Sequence, residues 1–145
     1  MKIGEAIYTL LSGATEVTDI VSTNIFPVVA VEKTSVPYIV YHVISEIPTN
    51  TKGMGVDFDP LNNRSPLDID RVQISGYTDT YEEGVDLAEA IRQTLDRETY
   101  DSASLKVDNI IFVNMVDDYE KKVDDKGVFV KHNDYQCRIR NSTLI

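Results

Sequence analysis

The stretch from Thr80 to Leu95 constrains the rest of the chain most. Tyr81, Val85, Ala88, Ile91 and Leu95 recur at steps of three or four and form one apolar stripe along a helix. Glu82, Glu83, Asp86, Glu89 and Arg92 take the other side. Thr80 followed by Glu83 is a capping box, in which the Thr hydroxyl takes a first-turn N–H and the Glu reaches back to the cap. Acidic residues crowd that first turn, where the helix dipole favours them. A one-sided helix needs an apolar layer to lie on, and the flanking segments supply strands.

A second amphipathic helix runs from about Lys2 to Ser12, on Ile3, Ile7, Leu10 and Leu11. Thr15 to Val21 repeats the pattern over one or two turns. Ile25-Phe26-Pro27-Val28-Val29 is β-rich but broken by proline, which restricts it to an edge strand or an irregular connection. Tyr38 to Ile44 is a strand with two apolar faces: Tyr38, Val40 and Ile44 on one, Ile39, Tyr41 and Val43 on the other. Glu46 to Leu67 is dense in Pro, Gly, Asn and Asp and reads as a long loop, a β-arm or a mobile segment. Arg71 to Tyr77 is the next strand, with Val72 and Ile74 inward and Gly76 marking a bend before the helix. After a polar connection from Arg97 to Ser104, Val107 to Val116 is again apolar on both faces. Asp124 to Gly127 is a turn signal with Gly127 suited to the left-handed position, and Val128 to Arg140 returns as the last strand.

This order implies one α+β domain over residues 1–145. The expectation is a mostly antiparallel sheet of about four to five strands, two main helices on one face, and an inserted loop or arm over about 46–67. Helices on one face leave the other uncovered. Tyr41, Val43, Phe112 and Val116 are expected there, with Arg71, Arg138 and Arg140 available to pair with acidic neighbours. Contiguous exposed apolar area of this kind marks an interaction surface, and self-association is the expected use.

Composition narrows the function further. The 145 residues are 42% hydrophobic and 26% charged, as in an ordinary globular domain. The formal net charge of −10 argues against a duplex-binding module, which gains affinity by placing Lys and Arg on phosphates. No apolar run reaches the roughly 18 residues of a membrane span, and no signal peptide is visible at Met1 to Glu5. With one cysteine, Cys137, no internal disulfide forms, and neither it nor His42 and His132 has metal-ligand spacing.

Asp108, Asp118, Glu120 and Lys122 match the carboxylate–lysine pattern of a metal-dependent nuclease, the competing reading. Asp57, Asp59 and Asn62 resemble part of a calcium loop but lack its Gly and terminal Glu at EF-hand spacing. The hairpin-end and solvated-loop readings of these residues are better supported. No catalytic residue, metal or cofactor is expected.

Val36-Pro37-Tyr38-Ile39-Val40-Tyr41 is followed by Arg71-Val72-Gln73-Ile74-Ser75-Gly76-Tyr77, which leads through Tyr81 into Leu87 to Asp96. Asp118-Tyr119-Glu120 and a Gly127 turn before Asp134-Tyr135 complete a pattern that resembles the tail completion or tail terminator proteins of long-tailed bacteriophages and prophages. The helix ending in Leu10-Leu11-Ser12 and the Ile25-Phe26-Pro27 step resemble the N-terminal half of that family, while the Glu46 to Leu67 segment is longer than usual for it. The resemblance implies a structural, non-enzymatic subunit, typically in a hexameric ring on the head-proximal end of the tail tube. Its implied partners are further copies of itself, the tail-tube protein and a head-completion or connector protein, with DNA passing through without specific binding and no membrane involved. The implied location is the virion tail, reached by assembly in the bacterial host cytoplasm.

Overall fold

The computed structural model describes residues 2–30, 34–48, 67–103, 105–121 and 127–140. Among these residues, three helices, α1 (Lys2–Ser12), α2 (Thr15–Val21) and α3 (Tyr81–Leu95), accompany six strands. The strands are β1 (Ile25–Pro27), β2 (Tyr38–Pro48), β3 (Leu67–Thr78), β4 (Tyr100–Asp101), β5 (Lys106–Lys121) and β6 (Gly127–Arg140). They form one sheet in the order β1-β2-β3-β6-β5-β4, in which β1 and β2 are parallel and every other pair is antiparallel.

This corrects the expected fold class. The sheet is mixed and six-stranded, not a mostly antiparallel one of about four to five strands, and it carries three helices, not two main ones. β1, at the edge of the sheet, is the edge strand that the proline-broken Ile25 to Val29 piece allowed, though its parallel pairing was not expected, and β4 has two residues, too few to display a period of two. The strands that were visible are also longer than their apolar patterns. β2 continues through Glu46 to Pro48 and β3 begins at Leu67, so both ends of the segment read as a loop are strand, while residues 49–66 lie outside the described residues.

All three helices contribute to one core on one face of the sheet. Ile3, Ile7, Leu11, Val17, Val21, Leu87, Ile91 and Leu95 meet Ile39, Tyr41, Val72, Ile74, Ile110, Tyr135, Cys137 and Ile139 there. The Thr80 hydroxyl accepts the Glu83 N–H at 3.2 Å and caps α3 as its sequence indicates. Its buried stripe is rotated from the expected one: Gly84, Leu87, Ala90, Ile91 and Leu95 face inward, while Tyr81 and Val85 are exposed. Gly76 is not a bend but a mid-strand residue paired with Ile39 and Lys131. A Cβ at Gly76 would lie 2.8 Å from Leu87 Cδ2, so the missing side chain lets α3 approach the sheet. Gly127 likewise opens β6 beneath Tyr119, whose ring occupies the space a Cβ would need.

Candidate interaction surface

Strand register assigns every side chain to one of two faces, because neighbours across a ladder point the same way. On the face opposite the helices lie Tyr38, Val40, His42, Ser45 and Ile47 of β2, and Ile69, Arg71, Gln73, Ser75 and Tyr77 of β3. Val128, Val130, His132, Asp134, Gln136, Arg138 and Arg140 of β6 continue that face, and Ile111, Asn114, Val116, Asp118 and Glu120 of β5 end it.

This face is concave, the sheet curling into a half-barrel. Tyr38 on β2 feels the charge of Glu120 on β5, although β3 and β6 lie between them. The Tyr77 hydroxyl is pushed up to about 12, chiefly by burial and then by Glu120, Tyr38 and Asp118. Val40, Val128 and Val130 are buried inside the curl and belong to no helix-side cluster. Tyr38 stacks on Tyr77 with ring centroids 4.6 Å apart, and Phe26 meets Tyr38 edge-on at 6.5 Å.

Across the middle of the open face runs a polar band. Arg71 Nη2 donates to Asp134 Oδ2 at 2.8 Å, and Gln73 Nε2 donates to Asp134 Oδ1 at 3.1 Å. Ser75 Oγ and His132 Nδ1 are 2.7 Å apart, and His132 Nε2 lies 3.7 Å from Asp118. A buried polar residue such as Asp134 is tolerated because its partners compensate its desolvation. Around the band sit exposed apolar groups: Ile44, Ile47, Ile111 and Val116, the last at 54% exposure.

Among the described residues, strand pairing covers only part of each long edge of the sheet. β1 pairs with β2 from Ile39 to Tyr41, and Val28 N donates to Tyr41 O. From Val43 to Pro48 no described strand pairs with β2 on the side away from β3. At the other edge, β4 pairs with Lys106 and Val107, and the turn after α3 exchanges hydrogen bonds with Ile110 and reaches Phe112 N through Asp96 Oδ1. From Val113 onward no described strand pairs with β5 on the side away from β6, and Val113, Met115, Val116 and Tyr119 are exposed.

The residues expected to share the uncovered face are divided between the two. Tyr41 is 6% exposed in the helix-side core, and Val43 and Phe112 pack against that core. Phe112 lies edge-on to Tyr135 at 5.6 Å, with the Arg92 guanidinium 4.1 Å from its ring centre. Val116, Arg71, Arg138 and Arg140 do lie on the open face. Two physical reasons explain the split. The Tyr38 to Ile44 strand is apolar on both faces, so alternation cannot say which set meets the helices. In β5, a register shift between Phe112 and Asn114 adds one residue, which turns Phe112 and Val116 to opposite faces despite their even spacing. Arg71 and Arg140 have acidic partners, Asp134 and Asp108, the latter at 3.1 Å, and Arg138 is exposed. Ile44, Ile47, Met115 and Tyr119 were missed; their exposure depends on strand order, which no local pattern contains.

The nuclease pattern does not converge. Asp108 is engaged by Arg140, and ten residues of extended β5 place it about 33 Å from Asp118. Among the described residues no three His, Cys, Asp or Glu side chains are grouped to hold a metal. Lys122 and the Asp57, Asp59 and Asn62 set lie outside the described residues. Cys137 is buried on the helix side, its thiol pushed up to about 12 by burial and then by Asp70, which suits a packing role and not a nucleophile. Among the described residues no helix is long and apolar enough to cross a membrane.

Among the described residues, the curled sheet is packed by helices on one side only. The family model described as Tail completion protein gp17 matches residues 5–133, and the chain belongs to that family. It is thereby a structural protein of the phage tail. The fold is shared with a chain in a structure of the virion of a native gene transfer agent particle, with TM-score 0.64 and 12% identity over 93% of this chain and 92% of that one. No curated protein matches the sequence.

Proposed function

We propose that this subunit forms a ring, expected to be hexameric, that caps the head-proximal end of the tail tube in a phage or prophage particle. The ring stops further tube polymerisation and offers the surface to which the head-completion or connector protein attaches. The tube protein binds on the opposite side of the ring, and DNA passes through without specific binding. Family membership supports the tail role. The observation that carries the ring is the contrast, among the described residues, between a helix side closed by packing and a concave side carrying exposed apolar groups such as Ile47, Ile111 and Val116. A subunit with different surfaces at its two edges makes head-to-tail contacts, and these close when the rotation per copy allows. Asp118 and Glu120 on the concave face would help keep DNA phosphates from adhering.

Electron microscopy of particles assembled without this protein tests the reading. Overlong, headless tubes that return to one fixed length when the protein is added back are expected. Tubes of normal length, joined to heads in its absence, would refute it.

A further inference from the structure

We infer that neighbouring copies touch through a strained apolar turn, Pro27-Val28-Val29 at the β1 edge, which packs against Met115 and its apolar neighbours at the β5 edge of the next copy. This rests on the ring reading and adds a contact that builds it.

The turn itself is the first argument. Val28 has a φ of 65°, a left-handed conformation that is costly for a β-branched residue. Val28 N donates to Tyr41 O at 2.8 Å and Val29 N donates to Pro27 O at 2.6 Å, so the chain reverses within three residues while pinned to β2. Packing within the subunit does not account for this strain, because Val28 and Val29 are 67% and 72% exposed. Pro27 is exposed as well. Three consecutive exposed apolar residues are a liability to a lone subunit, and backbone strain of this kind is kept where it serves a function.

The receiving surface is the second argument. Tyr81 of α3 donates to Asp117 Oδ2 at 3.1 Å, and Arg92, three turns later, lies over the Phe112 ring. The same helix stripe therefore follows β5, with Val85 between Tyr81 and Arg92 just as Met115 lies between Asp117 and Phe112. Val85, Met115 and the adjoining Val113 are each at least 40% exposed. They make an apolar strip along the edge of the sheet opposite β1.

Level is the third argument. Pro27, Tyr41, Ile74, Asn133 and Met115 are successive partners across the sheet, so the turn and the strip occupy one row at its two edges. A copy rotated about an axis along the strands brings its turn to the neighbouring strip without any slide. A contact that adds no rise per copy closes into a ring and does not climb into a filament.

The two patches together expose on the order of 500 Å² of apolar surface, less than half of what a stable pair of proteins buries. The contact therefore suits a closed assembly, in which each copy makes it twice, better than a free dimer.

Native mass spectrometry with tail-tube protein reads the contact. Val29→Lys and Met115→Glu should each keep the monomer's circular dichroism and melting temperature and lower the assembled fraction at least tenfold. The double variant V29K/M115E should recover assembly, because the two new charges meet only between copies. Val28→Gly should also lower assembly while the melting temperature holds or rises, since glycine takes positive φ without strain. A wild-type ring with either charged single variant assembling normally, with V29K/M115E as defective as the single variants, or with Val28→Gly melting below wild type, overturns the contact and leaves the ring intact. Monomer mass for wild type at every concentration and with tube protein overturns the ring and the contact with it.

Discussion

The two sides of this sheet are made from similar residues put to different uses. On the helix side, Val72, Ile74, Ile110, Tyr135 and Ile139 are at most 3% exposed beneath three helices. On the concave side, Val40 and Val130 are buried outside the helix-side cluster, a polar band crosses the middle, and Val116 and Ile47 remain more than half exposed. Burial on the first side is complete within one chain and supplies stability. On the second it is incomplete among the described residues, which is what the proposed ring would make use of. Apolarity by itself therefore does not separate core from interface; what separates them is which elements the topology brings over each face.

Substitutions that weigh one side against the other should differ in size. Leu87→Ala removes a fully buried side chain at the centre of the helix side and should cost about 2–5 kcal/mol in urea denaturation. Gly76→Ala inserts a methyl group 2.8 Å from Leu87 Cδ2 and should cost about 1–3 kcal/mol. The double variant should lose less than the sum, because removing Leu87 beyond Cβ frees the space the new methyl needs. Additive losses would show that α3 does not approach the sheet at Gly76.

The edge of the helix side has its own signature. Asp70 is buried, its carboxyl pushed up to about 7 by burial first and then by Glu46 and Asp68. Its folded pKa is thus raised above the unfolded one, so the folded state binds more protons between about pH 4 and 7. Stability should fall as pH rises through that window. Asp70→Asn should mimic the protonated form, raising stability on the order of 1–2 kcal/mol at pH 8 and changing little at pH 4, as read from melting temperatures. An equal effect at both pH values would contradict the shift. Smallest of all on folding, Val116→Lys should change stability by no more than about 0.5 kcal/mol, since an exposed strand position tolerates charge, yet should abolish assembly.

Much of the architecture was legible in the chain. The capping residue of α3 and the apolar stretches behind the long strands are local patterns, and local patterns survive folding. β1 and β4 were not legible as a parallel partner and a short cover, because two or three residues carry no period. The stripe of α3 was rotated because Leu87 and Gly84 face the sheet through a contact made possible by Gly76, which no spacing rule contains. Tyr41, Val43 and Phe112 were placed on the wrong side for a similar reason. Alternation says that two residues share a face, never which face the helices take, and the register shift before Asn114 reverses even that relation. Arg71 and Arg140 behaved as local chemistry suggests, each beside an aspartate.

Native mass spectrometry of the purified protein with tail-tube protein, comparing wild type with Val116→Lys, tests the division of labour between the two sides most directly. A single closed stoichiometry for wild type, with Val116→Lys remaining a folded monomer, is the expected result. Wild type found only as monomer, or Val116→Lys assembling as wild type does, would contradict it.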